Sequence, residues 1–200
     1  MITLPPNRRP ADEVLKAMQA LREHDVQWQA GKTWSLVFHA GDDVTRLLQQ
    51  AYTMFFSENG LNPMAFPSLK KFEADVVAMT AHLLGGDADT AGNMTSGGTE
   101  SILMAVKTAR DWGRARGIAA PEMVVPATAH PAFDKAAHYF GLKTIRVPVK
   151  ETFQADVPAT KAALTPHTVL LVGSAPSYPQ GVVDPIPALA HLAREHDLLC

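Results

Sequence analysis

The sequence predicts an α/β protein in which a mainly parallel sheet is covered by helices on both faces, after a helical N-terminal segment. Short apolar segments alternate with amphipathic segments from about residue 98 onward, which is typical of strand–helix–strand units. Before that point the apolar residues recur every three or four positions, as in helices. These two patterns divide the chain into a helical beginning and an alternating remainder.

Composition narrows the class of protein. The chain has 200 residues, of which 46% are hydrophobic and 19% charged, with a formal charge of -2, as in ordinary globular proteins. That charge gives no reason to expect nucleic acid as a partner. The single cysteine, Cys200, excludes a disulfide within the chain. Without a signal-peptide pattern or an apolar run of roughly 20 residues, we expect a cytoplasmic protein with no transmembrane segment.

Three helices are predicted in the first part of the chain. A proline-rich arm precedes a helix that starts at Pro10 and continues to about Gln29. A second helix begins near Asp42, and a third begins with Ser68 as its N-cap and ends at the glycines 85 and 86. We expect an N-terminal arm and helices over residues 1–58, followed over residues 59–200 by the first part of a large α/β domain.

The alternating part contains four further helices and four strands. The helices are predicted at 98–117, 131–140, 158–164 and from Asp184 onward, and the strands at 123–125, 142–147, 168–172 and from Leu198. Ligands of such sheets bind beyond the carboxyl ends of the strands. Three loops, Asn93–Gly97, Pro126–His130 and Gly173–Tyr178, are each predicted to follow a strand, so we expect them to converge on one crevice.

The most informative of these loops is the glycine pair Gly97-Gly98. It is predicted to open a helix, where backbone N–H groups lack partners and the helix dipole is positive. Such a site favours phosphate, and the hydroxyls of Ser96 and Thr99 add donors. It is neither a Walker motif nor the Gly-x-Gly-x-x-Gly of dinucleotide folds. A tight turn without a ligand remains the alternative.

Two further side chains are candidates for chemistry. His130 stands between a strand and a helix, where it either caps the helix or presents its imidazole to the crevice for stacking or proton exchange. Tyr178 lies in a loop stiffened by small residues and prolines, which is either a rigid connector or a substrate contact. The remaining histidines show no metal-binding spacing, and we expect no metal.

Four motifs in order give the chain a resemblance to the pyridoxal-phosphate-dependent group II decarboxylase superfamily, and within it to the sphingosine-1-phosphate lyase family. They cover about residues 30 to 200. The motifs are Phe66–Glu73, Met94–Ile102, His130–Ala136, and the pair Gly173–Pro176 with Asp184–Ile186.

The resemblance implies a fold-type I pyridoxal-phosphate enzyme, usually a homodimer. It assigns the cofactor phosphate to Ser96, Gly97, Gly98 and Thr99, and stacking on the cofactor ring to His130, with Tyr178 in the substrate site. It also assigns substrate contacts to Phe38, His39, Asn59 and Asn62. The substrate would be a small amine, possibly lipid-like.

Three departures from the family pattern stand out. The lyases carry a tyrosine where this chain has Phe38, and a histidine where it has Asn62, so two groups expected to hold a substrate phosphate are missing. The family's lysine that bonds the cofactor, and the aspartate that pairs with its ring nitrogen, lie beyond the position of Cys200. We therefore expect the 200 residues of this chain to be the first part of a longer enzyme and to have no catalytic turnover on their own.

The resemblance favours a carbon–carbon lyase that cleaves a β-hydroxy amine, such as a sphingoid-base phosphate, by a retro-aldol reaction. Amino-acid decarboxylation is the alternative within the enzyme class. Two other hypotheses remain open: a non-catalytic homologue or fragment with a binding or structural role, and a phosphate or nucleotide binder that uses Gly97-Gly98 without pyridoxal.

Overall fold

The computed structural model describes residues 3–33 and 38–200 of the chain. By compactness the chain divides into two units, Met1–Asp75 and Val76–Cys200. The domain boundary expected between residues 58 and 59 stays a prediction. Across the described ranges, no helix combines the length and apolar character needed to cross a bilayer.

The described part of the first unit is helical. It contains α1 at Ala11–Arg22, a short 3-10 helix at Trp28–Ala30, α2 at Asp42–Met54, and the beginning of α3 at Pro67–Leu83. None of the described residues up to Asp75 is buried. Apolar side chains therefore face outward: Met18 on α1 is 60% exposed and Leu47 on α2 is 64% exposed.

Two helix boundaries in this unit were predicted wrongly. The first helix ends at Arg22 and not near Gln29, because the amide of Asp25 bonds back three residues to Arg22 and tightens the last turn. No buried contact stabilises a longer α1, since none of the residues of this helix is buried. The third helix begins at Pro67, so Ser68 lies inside its first turn and is not the N-cap. Proline suits that first position because its missing N–H would have no helical partner.

The second unit is the α/β part. After the end of α3 it contains α4 at Gly98–Ala115, β1 at Glu122–Pro126, α5 at Ala132–Phe140, β2 at Lys143–Val147, α6 at Val157–Ala162, β3 at Thr168–Leu171 and α7 at Ile186–Glu195. The strands form a parallel sheet in the order β2-β1-β3, with Val124 opposite both Ile145 and Leu171. Leu199 bridges in parallel to Leu170, as expected of a further strand starting at Leu198.

The core lies on both faces of this sheet. Alternate residues of β1 point to opposite faces, so Met123 and Val125 pack with α4 and α5 while Val124 packs with α7. Each of the three is at most 1% exposed. The prediction of a parallel sheet covered by helices on both faces is confirmed.

The helix directions bring two helix starts to one edge of the sheet. A short turn joins the end of α4 to the amino end of β1, and α5 follows the carboxyl end of β1. Both helices therefore run back along the strands and begin at the carboxyl edge. In agreement, the Arg110 guanidinium near the end of α4 lies 5.3 Å from the centroid of the Phe140 ring at the end of α5.

One prediction about this edge is wrong. Asn93–Gly97 was expected to follow a strand, but the structure describes none between α3 and α4. A strand is held by ladder hydrogen bonds to a neighbour, and the order β2-β1-β3 leaves this segment without one. The apolar segment before Gly97 is therefore irregular and leads directly into α4.

Candidate functional site

The start of α4 is an open glycine turn held by its own polar side chains. Ser96 donates its amide to Glu100 Oε2 at 2.7 Å, so the carboxylate reaches back across the first turn. The Thr95 hydroxyl lies 3.1 Å from the Gly97 carbonyl oxygen and 2.7 Å from the Ser101 hydroxyl. Hydrogen bonds from Ser96 hold the pKa of Glu100 below its ordinary value.

The glycines of this turn leave room for a ligand. Apart from its chain neighbours and the backbone of α4 itself, a Cβ atom at Gly97 or at Gly98 would have no atom within 4 Å. No side chain caps the helix, so the amides of its first turn, including those of Gly98 and Thr99, keep their donors free for an external acceptor. The turn therefore has the donors and the open space that an anion site needs, and phosphate binding there stays a prediction.

His130 caps α5 with its own ring. Its Nδ1 accepts a hydrogen bond from the amide of Ala132 at 3.1 Å, and its carbonyl accepts from the amide of Phe133 at 3.0 Å. The residue is exposed. With Nδ1 used as an acceptor, the neutral ring carries its proton on Nε2. Capping and presentation of the ring, which were weighed as alternatives, are thus compatible in one conformation.

The loop after β3 holds Tyr178, whose side chain is 48% exposed. Ser177 beside it is 3% exposed and exchanges backbone contacts with the far side of the loop, donating its amide to the Val182 carbonyl at 2.7 Å. The Ser177 hydroxyl bonds Gln180 Oε1 at 2.7 Å. The loop is therefore a stiff connector that presents a tyrosine.

Asp184 fixes this loop, a role that sequence reasoning missed. It was interpreted as a helix start, but α7 begins at Ile186 and Asp184 is 2% exposed. Its carboxylate accepts the amide of Ser174 at 2.8 Å and that of Ala155 at 2.7 Å. The available signal was an aspartate closing a loop ten residues after a small-residue turn, but nothing local identifies Ala155 as the second donor.

The predicted substrate residues of the first unit begin with Phe38 and His39. Phe38 is 85% exposed. His39 Nε2 lies 3.6 Å from Asp42 Oδ1, and the His39 ring meets the Trp28 ring edge-on with centroids 5.8 Å apart. The imidazole therefore has a local carboxylate partner at the start of α2.

Asn59 and Asn62 shape the loop between α2 and α3. Asn59 Oδ1 accepts the amide of Leu61, and Asn62 Oδ1 accepts the amide of Ala65, both at 3.1 Å. These are the local turns that asparagine commonly forms. Both amide oxygens are thus used by the loop, which leaves the side-chain NH₂ groups for other contacts.

The predicted residues fall in both units. The second unit places Ser96–Thr99 at the start of α4, His130 at the start of α5 and Tyr178 after β3, all at the carboxyl edge of the sheet. Phe38, His39, Asn59 and Asn62 lie in the first unit. Within the described ranges, no three His, Cys, Asp or Glu residues group closely enough to hold a metal ion.

Curated proteins similar to the chain include sphingosine-1-phosphate lyases. The chain is 47% identical over 196 residues to sphingosine-1-phosphate lyase 1 of Rattus norvegicus. The matched region covers 98% of the chain and 34% of that protein. It is 45% identical over 197 residues to the sphingosine-1-phosphate lyase of Oryza sativa subsp. japonica, covering 94% of the chain and 36% of that protein. The chain thus spans about a third of the length of these relatives, and the resemblance inferred from the motifs is confirmed.

Solved structures agree on the fold. The sphingosine-1-phosphate lyase of Burkholderia pseudomallei K96243 superposes with a TM-score of 0.89 at 38% identity, covering 100% of the chain and 48% of that structure. Glutamate decarboxylase of Lactobacillus brevis superposes with a TM-score of 0.80 at 18% identity, and the match covers 98% of the chain and 46% of that structure. These likenesses confirm the expected fold-type I architecture. The aminotransferase class-V family matches residues 68–200, more than half of the sequence, and the chain belongs to that family.

Proposed function

We propose that the protein to which this chain belongs is a pyridoxal 5'-phosphate-dependent carbon–carbon lyase that cleaves a β-hydroxy amine to an aldehyde and an amine. The observation that carries the proposal is the open Gly97-Gly98 turn at the start of α4, where a Cβ atom at either glycine would meet nothing within 4 Å apart from its chain neighbours and the backbone of α4 itself. The similarity to sphingosine-1-phosphate lyases supports the reaction class.

The residues of the second unit fit the cofactor. The amides of Gly98 and Thr99, with the hydroxyls of Ser96 and Thr99, would hold the phosphate at the positive end of the α4 dipole. The His130 ring, held by its bond to the Ala132 amide, would lie against the cofactor ring. When bound, the cofactor supplies an electron sink for the bond that is cleaved.

For the substrate, contacts are proposed on the resemblance to the lyase family. Tyr178 is proposed to contact it from the stiff loop after β3, and Phe38, His39, Asn59 and Asn62 from the first unit. Whether cleavage releases an aldehyde or carbon dioxide depends on which substrate bond these side chains hold perpendicular to the cofactor ring. We further propose a homodimer, on the resemblance to the lyase family, and a location in the cytoplasm.

The test uses the full-length protein and one matched pair of variants. The purified enzyme is expected to be yellow, because it absorbs light near the short-wavelength end of the visible range. It is also expected to release fatty aldehyde from a sphingoid substrate. Gly98→Val fills the open turn and should weaken cofactor binding about 10- to 100-fold, the cost of a lost bond to a charged group. Ala115→Val adds a similar side chain at the exposed end of the same helix and should leave cofactor affinity unchanged.

Two results would contradict the proposal. A colourless full-length protein, or equal cofactor affinity in Gly98→Val and Ala115→Val, would show that the turn does not hold the cofactor phosphate. Release of carbon dioxide from amino acids, without aldehyde from β-hydroxy amines, would assign the enzyme to the decarboxylases instead.

A further inference from the structure

The segment that carries His130 is bonded on both sides to one guanidinium group. Arg146, near the carboxyl end of β2, donates from Nη1 to the carbonyl oxygen of Ala127 at 3.3 Å and from Nη2 to the carboxylate of Asp134. Ala127 stands three residues before His130, and Asp134 stands four residues after it. Arg146 therefore bridges the two sides of the segment in which the proposed cofactor contact lies.

The register of the sheet explains how one side chain reaches both partners. Arg146 lies opposite Val125 of β1. Residues paired in this way on adjacent strands point to the same face, and Val125 belongs to the cluster on the face of α4 and α5. The next residue of β2, Val147, accepts the amide of Ala127 at 2.9 Å. The end of β2 thus holds Ala127 by its amide and by its carbonyl.

The other partner connects Arg146 to the His130 ring through α5. Asp134 lies in the first turn of α5. The His130 ring is bonded to the same turn, because its Nδ1 accepts the amide of Ala132 at 3.1 Å. The ring consequently moves with the start of α5. An ion pair that fixes Asp134 to β2 also fixes the ring relative to the sheet.

Stability alone does not explain this arrangement. The side chains of Arg146 and Asp134 are 39% and 48% exposed, and ion pairs exposed to this extent contribute little to the free energy of unfolding. The arrangement differs from an ordinary surface pair because the planar guanidinium bonds two acceptors from two different elements at once. A lysine ammonium at this position would keep the charge but lose that fixed geometry.

We propose that Arg146 is a positioning residue: it holds the loop after β1 and the first turn of α5 in one arrangement, so that the His130 ring lies against the cofactor ring. Arg146 acts through His130 and needs no contact with the cofactor. This inference rests on the proposed function, because it takes His130 to stack on the cofactor.

The test titrates the full-length protein with pyridoxal 5'-phosphate after its bound cofactor has been removed. Arg146→Met keeps the length of the side chain without its donors and should weaken cofactor affinity about two- to tenfold, the range for a lost aromatic contact. Arg146→Lys should lose nearly as much. The control is Arg116→Met, which removes another partly exposed Arg–Asp pair, with Asp197, beyond the opposite end of α4. This variant should leave the affinity unchanged.

A second comparison shows whether Arg146 acts through the ring. Asparagine at position 130 keeps a capping acceptor for α5 but has no ring. In a His130→Asn background, Arg146→Met should therefore cause no further loss of cofactor affinity, because the group that it positions is already absent. A general structural role would lower the affinity in both backgrounds. Urea unfolding of the same variants measures stability separately.

The outcomes separate this inference from the proposed function. Equal cofactor affinity in Arg146→Met and Arg116→Met, or the same loss with and without the His130 ring, overturns the role of Arg146, while aldehyde release by the parent still supports the lyase. Lower stability of Arg146→Met with unchanged affinity also overturns it and leaves an ordinary surface pair. A parent protein that does not bind pyridoxal 5'-phosphate overturns the proposed function and, with it, the role of Arg146.

Discussion

At the start of α5, one residue supplies both a helix cap and an exposed ring. His130 Nδ1 accepts the Ala132 amide, so the ring orientation is set by a backbone bond of the helix that it precedes. A substitution at this position consequently removes two things together, and alanine alone cannot distinguish them. Asparagine keeps a capping acceptor without the ring, and phenylalanine keeps a ring without the acceptor.

The two substitutions give opposite expectations for the full-length enzyme. His130→Asn should keep the free energy of unfolding within about 0.5 kcal/mol of the parent but weaken cofactor binding, because no ring remains to stack. His130→Phe should lose about 1 kcal/mol of stability while retaining more of the cofactor affinity. Urea unfolding and cofactor titration measure the two effects. Equal cofactor affinity in His130→Asn and the parent would restrict His130 to capping.

Glu122 gives the second unit a pH-dependent contact. Its buried carboxylate accepts the Thr165 hydroxyl at 2.6 Å and the Lys143 ammonium at 2.9 Å. These two hydrogen bonds, with Thr165 the larger cause, hold the pKa of Glu122 below its ordinary value of 4.5. A carboxyl whose pKa is lower in the folded state stabilises the fold above the unfolded value, and this is lost as the pH falls through the folded value.

Glu122→Gln should therefore cost about 1–3 kcal/mol at pH 7, the usual range for bonds to a charged group. The difference between parent and variant should shrink as the pH falls below 4.5, because the parent carboxyl then becomes protonated. Urea unfolding of parent and variant at several values between about pH 3 and pH 7 measures this difference in free energy. A difference that stays constant over that range would show that the charge of Glu122 is not responsible.

Among the elements, α4 packs closely against the sheet because Gly113 has no side chain at the point of contact. Gly113 in its last turns faces β3, where an added Cβ would lie 2.4 Å from Val169 Cγ1 and 3.4 Å from Val169 Cβ. Val169 is fully buried and, being β-branched, has little freedom to turn aside. Glycine is normally unfavourable within a helix, so its presence here is explained by the close approach.

Gly113→Ala is accordingly expected to destabilise the chain by about 1–2 kcal/mol, since overpacking outweighs the gain in helix propensity. Val169→Ala makes room for the new methyl group, so the double variant should lose less stability than the two single variants added together. Thermal or urea unfolding of the three variants measures the coupling. Simple additivity would mean that the helix moves away instead.

Most elements of the second unit were predictable because their signals are local. Alternation of apolar strands with helices ended by glycines such as Gly141 sufficed to place β1, α5 and β2. The segment before Gly97 was assigned to a strand because it is apolar, but strand pairing depends on a neighbour that local sequence does not encode. The end of α1 failed for a related reason: continuation of a helix depends on whether its apolar face is buried.

The candidate site shows the same limit. Gly97, Gly98 and His130 were found from their positions at helix starts, where the chemistry follows from the local backbone. Asp184 was missed because one of its two donors, Ala155, is 29 residues away.

On the scale of the whole molecule, the two units differ in how they are held. Both hydrophobic clusters belong to the second unit, and none of the described residues of the first unit is buried. Helices without buried contacts are marginal in water, because most helix stability in proteins comes from packing. The first unit is therefore expected to depend on surfaces outside residues 1–200.

Hydrogen exchange of the isolated 200-residue chain should reveal this difference. Amides of α1 and α2 should exchange within seconds, whereas those of β1 and β3 should be protected to nearly the full free energy of unfolding. Mass spectrometry of peptides from the two units measures both rates in one sample. Comparable protection in α1 and β1 would contradict the expectation.

The contact between Gly113 and Val169 has a consequence at a distance. The helix rises by about 1.5 Å per residue, so the glycine turn at the opposite end lies about 22 Å from the point where α4 is seated. A small tilt of α4 at that contact would displace the amides of the glycine turn, which we propose to hold the phosphate. The position of the proposed phosphate site therefore depends on the close contact of Gly113 with Val169 at the other end of the same helix.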